Sequence, residues 1–342
     1  MVIFFPQKHR MAIIILAFLV IHLVFSRSIA MATNPTVLPS WNEGSSKSSI
    51  LEFVNRVTAE NSPDYVPPAE RIAVFDNDGT LWSEKPFYFQ GFFLIDRLKA
   101  MVKDHPEWRN EQPYRTILEG DREAIAGFTE KDIVRLLAVT HTGMTVEEFQ
   151  TLSIDWLKNA EHPRFNRPFT EIVFQPQLEL LDYLRANGFK IFIVSGGGIE
   201  FVRAFSEEVY GIPPEQVIGS SVKTRFEERD GRSTLVKLPE LGSYDDREGK
   251  PVNINLHIGR RPILAFGNSD NDLAMLQYTA DHRRSSLILL LHHDDGSREW
   301  AYDRDTRIGR LDTALDEATR RGWTIVSIQR DFQRVYPFDR SD

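Results

Sequence analysis

The segment AVFDNDGT places two carboxylates, Asp76 and Asp78, directly after a short apolar run. Like charges this close repel each other, and burial penalises both of them. A hard divalent cation such as Mg²⁺ offsets the repulsion, because it prefers oxygen ligands and brings positive charge. A cation also neutralises phosphoryl oxygens, so a free carboxylate can attack a group that is normally an anion. The pattern therefore indicates Mg²⁺-assisted phosphoryl chemistry, whereas a plain acidic turn leaves the paired charges unexplained.

Two further polar clusters follow apolar runs later in the chain. KIFIV is followed by Ser195, Gly196 and two more glycines, and PILAF is followed by GNSDND, which contains Asn268, Asp270 and Asp272. Glycines allow the backbone to approach a phosphate, and the start of a following helix favours an anion. The Ser195 hydroxyl can donate a hydrogen bond. The first cluster therefore predicts a phosphate-binding turn, and the second predicts additional metal ligands.

Phosphoryl transfer to a carboxylate also needs a positive charge, which balances the negative charge that develops on the nucleophile and the phosphoryl group. Lys250, in the segment EGKPVNINLHIG, is our first candidate for this role. Lys237 is the alternative.

Predicted secondary structure brings these residues together. Apolar segments at 71–75, 191–194 and 262–266 are typical of buried strands, and each polar cluster lies at a strand end. Helical patterns separate the strands, which predicts an α/β protein with an open parallel sheet. Ligands bind beyond the carboxyl ends of the strands in such sheets. The helical block over 86–175 starts from the same edge, so it is positioned to form a lid.

The sequence divides into four predicted parts. They are a signal peptide over 1–32, a flexible leader over 33–48, a catalytic core over 49–85 and 176–342, and a helical cap over 86–175. Within the core, Asp230-Gly231 is expected to form the turn of a hairpin.

The N-terminus has the features of an export signal. Lys8 and Arg10 form a basic start, the run 11–25 is apolar, and Ala30 and Ala32 fit a signal-peptidase site. The apolar run is short for a membrane span, which needs about 20 residues. The expected protein is periplasmic or secreted, without stable membrane association after cleavage. An uncleaved signal anchor is the alternative.

Composition excludes several other classes of function. The 342 residues are 42% hydrophobic and 26% charged, which is ordinary for a globular protein. The net charge of −8 argues against a nucleic-acid partner. The chain has no cysteine, which excludes disulfides, cysteine-bound metals and thiol catalysis.

The motifs DNDGT, SGG, GKP and GNSDND, in this order, resemble those of the haloacid dehalogenase-like phosphatases. The pattern is most similar to the phosphoserine-phosphatase-like branch, and it covers roughly residues 70–335. The resemblance implies a Rossmann-like core with an inserted helical cap. It also implies hydrolysis of a small phosphomonoester through an aspartyl-phosphate intermediate, with Mg²⁺ as cofactor.

The resemblance implies a role for each matching residue. Asp76 matches the nucleophile, and Asp78 matches the acid that protonates the leaving oxygen and then activates water. Both bind Mg²⁺ in this pattern, Asp78 through its backbone carbonyl. Lys250 matches the charge-stabilising lysine. The implied phosphate-binding residues are Ser195, Gly196 and Thr80.

The last motif departs from the family pattern. Asn268 occupies the position of the first acid and Asp272 that of the second, so the third metal ligand is either the Asn268 amide oxygen or Asp270. Glu84 lies one residue before the position at which phosphoserine enzymes carry a substrate-binding glutamate in the cap. The segment HHDD, at 292–295, has metal-ligand residue types but is predicted to be a loop at the sheet edge.

Three other functions remain open at this point. A phosphotransferase or mutase would share every motif and differ in the group that accepts the phosphoryl. A haloacid dehalogenase would use the nucleophile but would need neither a metal nor Asp78, because a halide leaves without a proton. A noncatalytic binding protein on the same fold would explain Asn268, although the intact DNDGT motif argues against it.

Overall fold

The structure is a computed structural model, and it describes residues 37–125 and 127–339. The predicted signal peptide over 1–32 lies outside the described residues. Within the described part, no helix has the length and apolar character needed to cross a membrane.

Eight strands form one sheet. They are β1 Ile72–Phe75, β2 Lys190–Gly198, β3 Val217–Arg229, β4 Arg232–Ser243, β5 Leu264–Gly267, β6 Leu287–Asp294, β7 Ala301–Tyr302 and β8 Thr324–Ser327. Their order is β4-β3-β2-β1-β5-β6-β7, and β8 pairs with β6. Neighbouring strands are parallel, except that β4 and β7 run antiparallel to β3 and β6. The predicted α/β fold with a mainly parallel sheet is confirmed.

The apolar run before the two aspartates forms the central strand, β1. All four of its residues are buried, as is usual for a parallel strand covered on both faces. Val74 pairs with Phe192 of β2 on one side and with Ala265 of β5 on the other. The carboxyl ends of these three strands therefore meet at one edge.

Thirteen helices lie in the described part of the chain, in addition to short 3₁₀ turns. They are α1 Ser45–Thr58, α2 Phe89–Met101, α3 Tyr114–Glu119, α4 Arg122–Ile125, α5 Glu130–His141, α6 Val146–Asn159, α7 Gln175–Ala186, α8 Ile199–Arg203, α9 Ser206–Tyr210, α10 Gly249–Ile258, α11 Leu273–Ala280, α12 Thr313–Arg321 and α13 Ile328–Asp331.

The sheet is covered on both faces by apolar side chains of these helices. Ile50 of α1 and Leu181 of α7 belong to the core on one face. Ile254 of α10, Met275 of α11 and Ala318 of α12 belong to the core on the other face. This layered arrangement buries β1 and β5 completely and leaves the strand ends available for polar groups.

Helices α2 to α5 share a third apolar cluster, separate from the two sheet cores; it includes Leu98, Ile117 and Leu136. The hairpin formed by β3 and β4 is joined to the α5–α6 connection. The Gly143 N–H donates to the Lys237 carbonyl at 3.0 Å, and the Lys237 N–H donates to the Met144 carbonyl at 2.9 Å. These bonds tie the helical block to the sheet.

The predicted hairpin turn is confirmed, and the predicted leader differs from the structure. Asp230 and Gly231 have positive φ angles of 49° and 72°, as a two-residue hairpin turn requires. Residues 33–48 were expected to be flexible, but their described part is packed. Leu38 and Trp41 are each 2% exposed, and α1 begins at Ser45. The polar composition of the leader hid these two anchoring apolar side chains.

Candidate active site

The three predicted polar clusters meet at the shared edge of β1, β2 and β5, and a buried lysine joins them. Lys250, near the start of α10, donates from Nζ to Asp76 Oδ1 at 2.6 Å and to Asp272 Oδ1 at 2.6 Å. It also donates to the Val194 carbonyl of β2 at 2.9 Å. Three acceptors match the three N–H bonds of an ammonium group, so the charge of this lysine is held at one point.

The electrostatic surroundings keep Lys250 charged. Burial lowers its pKa, but the carboxylates of Asp272 and Asp76 outweigh burial, and the pKa lies above its ordinary value. The alternative lysine, Lys237, is in a different place. Its Nζ lies 3.0 Å from Glu200 Oε2 and 4.7 Å from the centre of the Phe149 ring. The structure therefore brings Lys250, and not Lys237, to Asp76.

The two aspartates of DNDGT have perturbed pKa values. Burial raises the pKa of Asp76 well above its usual range, and the nearby Asp272 carboxylate adds to the effect. Burial also raises the pKa of Asp78 to about 6, although the Trp82 indole donates to Asp78 Oδ1 at 2.8 Å and opposes the shift. A carboxyl that titrates near neutrality can both give and take a proton at physiological pH, which suits Asp78 to acid–base chemistry.

Asn268 is oriented so that its amide oxygen contacts the Thr80 hydroxyl, which also lies beside Asp76. The Thr80 hydroxyl donates to Asn268 Oδ1 at 3.1 Å and lies 3.4 Å from Asp76 Oδ2. On its other side, Asn268 Nδ2 donates to Glu84 Oε1 at 2.8 Å. With its nitrogen bonded to Glu84, the Asn268 amide turns its oxygen toward Thr80. Oxygen atoms of Asp76 and Asn268 therefore lie close to the Thr80 hydroxyl.

Glu84 is buried in contact with this cluster. Only 2% of the residue is exposed, and the Tyr302 hydroxyl donates to its Oε1 at 2.8 Å. Burial raises its pKa well above the usual range. The glycine of DNDGT makes room for it, because a Cβ at Gly79 would lie 2.5 Å from Glu84 Oε1, and Gly79 also has a φ of +77°.

The acids of the GNSDND loop have different surroundings. Asp272 Oδ2 accepts from the backbone N–H groups of Asn268 and Ser269, at 2.9 and 3.0 Å. Asp270 Oδ1 instead accepts from the N–H groups of residues 312 and 314, at 3.0 and 2.9 Å, where α12 begins. These bonds favour a helix-capping role for Asp270 and leave Asn268 as the loop residue beside Asp76.

The SGGG segment forms the wall next to Asp78. Ser195 is buried, and its hydroxyl accepts from the Gly197 N–H at 3.1 Å. A Cβ at Gly197 would lie 3.7 Å from Asp78 Oδ2, so the backbone runs close to the carboxylate. The Gly198 N–H donates to Gln90 Oε1 of α2 at 2.7 Å, which ties the helical block to this segment. Gly196 and Gly197 line the cavity above Asp76.

A buried network that the sequence analysis missed supports the DNDGT loop. His293 Nε2 lies 2.8 Å from the Gly79 carbonyl, and its Nδ1 lies 3.0 Å from Glu299 Oε2. The Ser83 hydroxyl donates to Glu299 Oε1 at 2.7 Å. The prediction of a loop at 292–295 is wrong for its first three residues, because β6 continues to Asp294. The residue types of the HHDD segment were the sequence signal for this network, but they did not indicate which residues His293 would contact.

The oxygen atoms around Asp76 fit a hard divalent cation. In the part of the chain that the structure describes, no three acidic or histidine side chains are grouped as a metal site. A cation would therefore depend on amide and backbone oxygens as well as on carboxylates. The raised pKa values of Asp76 and Asp78 agree with this, because a cation stabilises the charged forms that burial disfavours.

A cavity of about 500 Å³ extends from Asp76 and Asp78 into the helical block. Lys250, Asp272 and Gly196 line the same inner end. The site can therefore bring a nucleophilic carboxylate, a second carboxyl and an ammonium group to one small substrate.

Sequence comparison assigns the family. A model of the haloacid dehalogenase-like hydrolases matches residues 73–277, which is more than half of the chain. The protein belongs to the haloacid dehalogenase-like hydrolase family. No curated protein sequence shows significant similarity to the chain.

Solved structures with a similar chain path have low sequence identity. A Bordetella pertussis protein of unknown function is 14% identical, over 75% of this chain and 98% of that one, with a TM-score of 0.46. An Anaerococcus prevotii protein of unknown function is 19% identical, over 81% and 91%, with a TM-score of 0.46. A phosphoserine phosphohydrolase-like protein from Francisella tularensis is 18% identical, over 65% and 87%, with a TM-score of 0.36.

Proposed function

We propose that the protein is a Mg²⁺-dependent phosphomonoester hydrolase that uses Asp76 as its nucleophile. The observation that carries this proposal is the contact of 2.6 Å between Asp76 Oδ1 and the charged Lys250, beside Asp78 in one cavity. A dehalogenase needs no second carboxyl with a pKa near 6, whereas phosphoester hydrolysis uses one twice.

The residues divide the reaction into two steps. An Asp76 oxygen attacks phosphorus, the bond from phosphorus to the alcohol oxygen breaks, and Asp78 gives that oxygen a proton. Lys250 balances the charge that develops on the carboxylate and phosphoryl oxygens. In the second step, Asp78 takes a proton from water, the water oxygen attacks phosphorus, and the bond to Asp76 breaks. Phosphate and the free Asp76 carboxylate result.

Mg²⁺ would be held by Asp76, the backbone carbonyl of Asp78 and the Asn268 amide oxygen. It would neutralise phosphoryl oxygens and favour the ionised nucleophile. Asp272 stays a predicted ligand, and in this structure its oxygens contact Lys250 and the loop backbone. A bound cation would favour the ionised form of Glu84, which burial alone disfavours, and Glu84 would then supply the negative charge that Asn268 does not bring.

Phosphate release from 4-nitrophenyl phosphate tests the proposed function. The purified protein is expected to release 4-nitrophenolate and phosphate with added Mg²⁺ and to lose this activity with a chelator. Absence of release across a range of Mg²⁺ concentrations would reject the hydrolase. Transfer of most of the phosphoryl to an added alcohol instead of water would favour the phosphotransferase.

The metal site gives a prediction about charge. Glu84→Gln is expected to raise the Kd for Mg²⁺ about tenfold, because one buried negative charge beside the cation is lost. Adding Asn268→Asp to Glu84→Gln is expected to return the Kd toward the wild-type value. Calorimetric titration of metal-free protein with Mg²⁺ measures this without using activity.

Asp270→Asn is the matched control for these two variants. It removes one negative charge from the neighbouring loop, but the Asp270 carboxylate caps α12 instead of facing Asp76. It is expected to leave the Kd for Mg²⁺ within about twofold of the wild-type value. Loss of Mg²⁺ binding in Asp270→Asn, together with normal binding in Glu84→Gln, would make Asp270 the ligand.

The proposed export of the protein rests on residues 1–32. The basic start, the apolar run and the Ala30/Ala32 pair support cleavage after Ala32. N-terminal sequencing of the exported protein is expected to begin at residue 33. A membrane-bound chain that still begins at Met1 would show a signal anchor instead.

A further inference from the structure

We propose that the substrate is the phosphate monoester of a hydrophobic alcohol or phenol. This inference rests on the proposed phosphatase function and concerns the group that the phosphate leaves behind. It follows from the way in which polar and apolar side chains divide the cavity.

The cavity has a charged inner end and an apolar outer part. Asp76, Asp78 and Lys250 line the inner end, where the phosphoryl group must lie to react. The outer part lies within the helical block, where α2 to α5 and the segments joining them turn apolar side chains toward it. Six of the apolar lining residues there are Leu94, Ile95, Ile117, Ile125, Phe128 and Leu137.

Polar side chains that line the cavity include Tyr88, Gln90, Tyr244 and Arg307, and two of them have the following partners within the protein. Gln90 Oε1 accepts from the Gly198 N–H at 2.7 Å. The Tyr244 hydroxyl donates to Asp246 Oδ2 at 3.0 Å. A leaving group with several hydroxyls, as in a sugar phosphate, would place some of them against the apolar side chains without hydrogen-bond partners, which is unfavourable.

Negative charge in the cavity also disfavours an anionic leaving group. The carboxylates of Glu84 and Asp246 line the cavity close to the phosphoryl end. Lys250, the cation at that end, donates all three of its N–H bonds to Asp76, Asp272 and the Val194 carbonyl. The carboxylate of a leaving group would therefore meet repulsion from Glu84 and Asp246 at this end, although Arg307 also lines the cavity.

The volume of the cavity and the bonds between its walls suit an apolar group of moderate size. About 500 Å³ lies within the range of pockets that enclose small organic ligands. Backbone hydrogen bonds of Gly143 and Lys237 join the helical block to the hairpin. The Gln90–Gly198 bond fixes the same block to the SGGG segment. An alkyl chain or aromatic ring would fill a preformed space.

A series of straight-chain alkyl phosphates tests this inference. The leaving alcohols have nearly equal basicity, so differences in kcat/KM report contacts with the chain. From ethyl to hexyl phosphate, kcat/KM is expected to rise by up to about fourfold per methylene and then to level off when the cavity is full. Hexyl phosphate is expected to exceed phosphoserine, glucose 6-phosphate and a nucleoside monophosphate by more than tenfold.

Variants of cavity-lining residues test whether the dependence of kcat/KM on chain length arises in the cavity. Leu137→Asn puts an amide in the outer part and is expected to lower the ratio of hexyl to ethyl phosphate kcat/KM about tenfold. Leu118→Asn is the matched control, because Leu118 packs on the apolar cluster of the helical block, with Leu98, Ile117 and Leu136, and does not line the cavity. The control is expected to keep the wild-type ratio.

Three outcomes separate this inference from the proposed function. If 4-nitrophenyl phosphate is hydrolysed but phosphoserine or a sugar phosphate exceeds hexyl phosphate, the hydrophobic substrate class is rejected and the phosphatase stands. If nothing is hydrolysed, calorimetry with ethyl- and hexylphosphonate in the presence of Mg²⁺ decides. Tighter binding of hexylphosphonate would still support the apolar site, and equal binding would reject it.

Discussion

Asp76→Asn is expected to abolish steady-state phosphate release, with a loss in kcat on the order of 10⁵-fold. The amide keeps the size of the side chain and can still accept a hydrogen bond from Lys250, but its oxygen is a poor nucleophile. The measurement is turnover of 4-nitrophenyl phosphate by the purified variant at saturating Mg²⁺. An intact mass that matches asparagine excludes reversion by deamidation.

The same variant is expected to fold as well as the wild-type protein. Asp76 is a buried carboxyl whose raised pKa reflects burial and repulsion by Asp272. Removing its charge relieves that repulsion, while Lys250 keeps Asp272 as a charged partner. The unfolding temperature in metal-free buffer should therefore stay the same or rise. A folded variant with undiminished phosphatase activity would show that another group is the nucleophile.

The sequence predicted the part of the site that depends on local pattern. An apolar strand followed by polar residues marks its own carboxyl end, and parallel strands bring such ends together. This rule alone places Asp76, Asp78 and the GNSDND loop at one edge. It does not separate Lys250, the first candidate, from Lys237, because both lie far along the chain from Asp76. Only the packing of α10 against the sheet decides which of the two ammonium groups lies beside Asp76.

The rest of the site depends on contacts that have no sequence pattern. His293 reaches the Gly79 carbonyl, and Tyr302 reaches Glu84, because β6 and β7 lie beyond β5 in the sheet. Glu84, a predicted substrate-binding residue, lines the cavity and also contacts the Asn268 amide, a contact that has no sequence pattern. In the helical block, the position of Leu137 in the apolar pattern of α5 is the same as that of a core residue. Sequence cannot tell an apolar side chain that lines a cavity from one that packs.

Asp78→Asn is expected to have an effect that depends on the leaving group. An alkoxide is strongly basic and needs a proton as it leaves, whereas 4-nitrophenolate leaves without one. Loss of the general acid should slow phosphorylation of Asp76 by hexyl phosphate about 10³-fold and by 4-nitrophenyl phosphate little. Both substrates should then show slow release of phosphate, because the proposed mechanism also makes Asp78 the base that activates water.

Rapid-mixing kinetics separate these two roles of Asp78. With 4-nitrophenyl phosphate, the variant is expected to give a burst of 4-nitrophenolate close to one equivalent of enzyme, followed by slow turnover. The pKa of Asp78 is raised to about 6, so its carboxyl is protonated below that pH and loses the proton as the pH rises. For wild-type protein, kcat/KM with hexyl phosphate should therefore fall above about pH 6, and this decrease should be absent in Asp78→Asn. Equal slowing of the first turnover for both esters would show that Asp78 does not protonate the leaving oxygen.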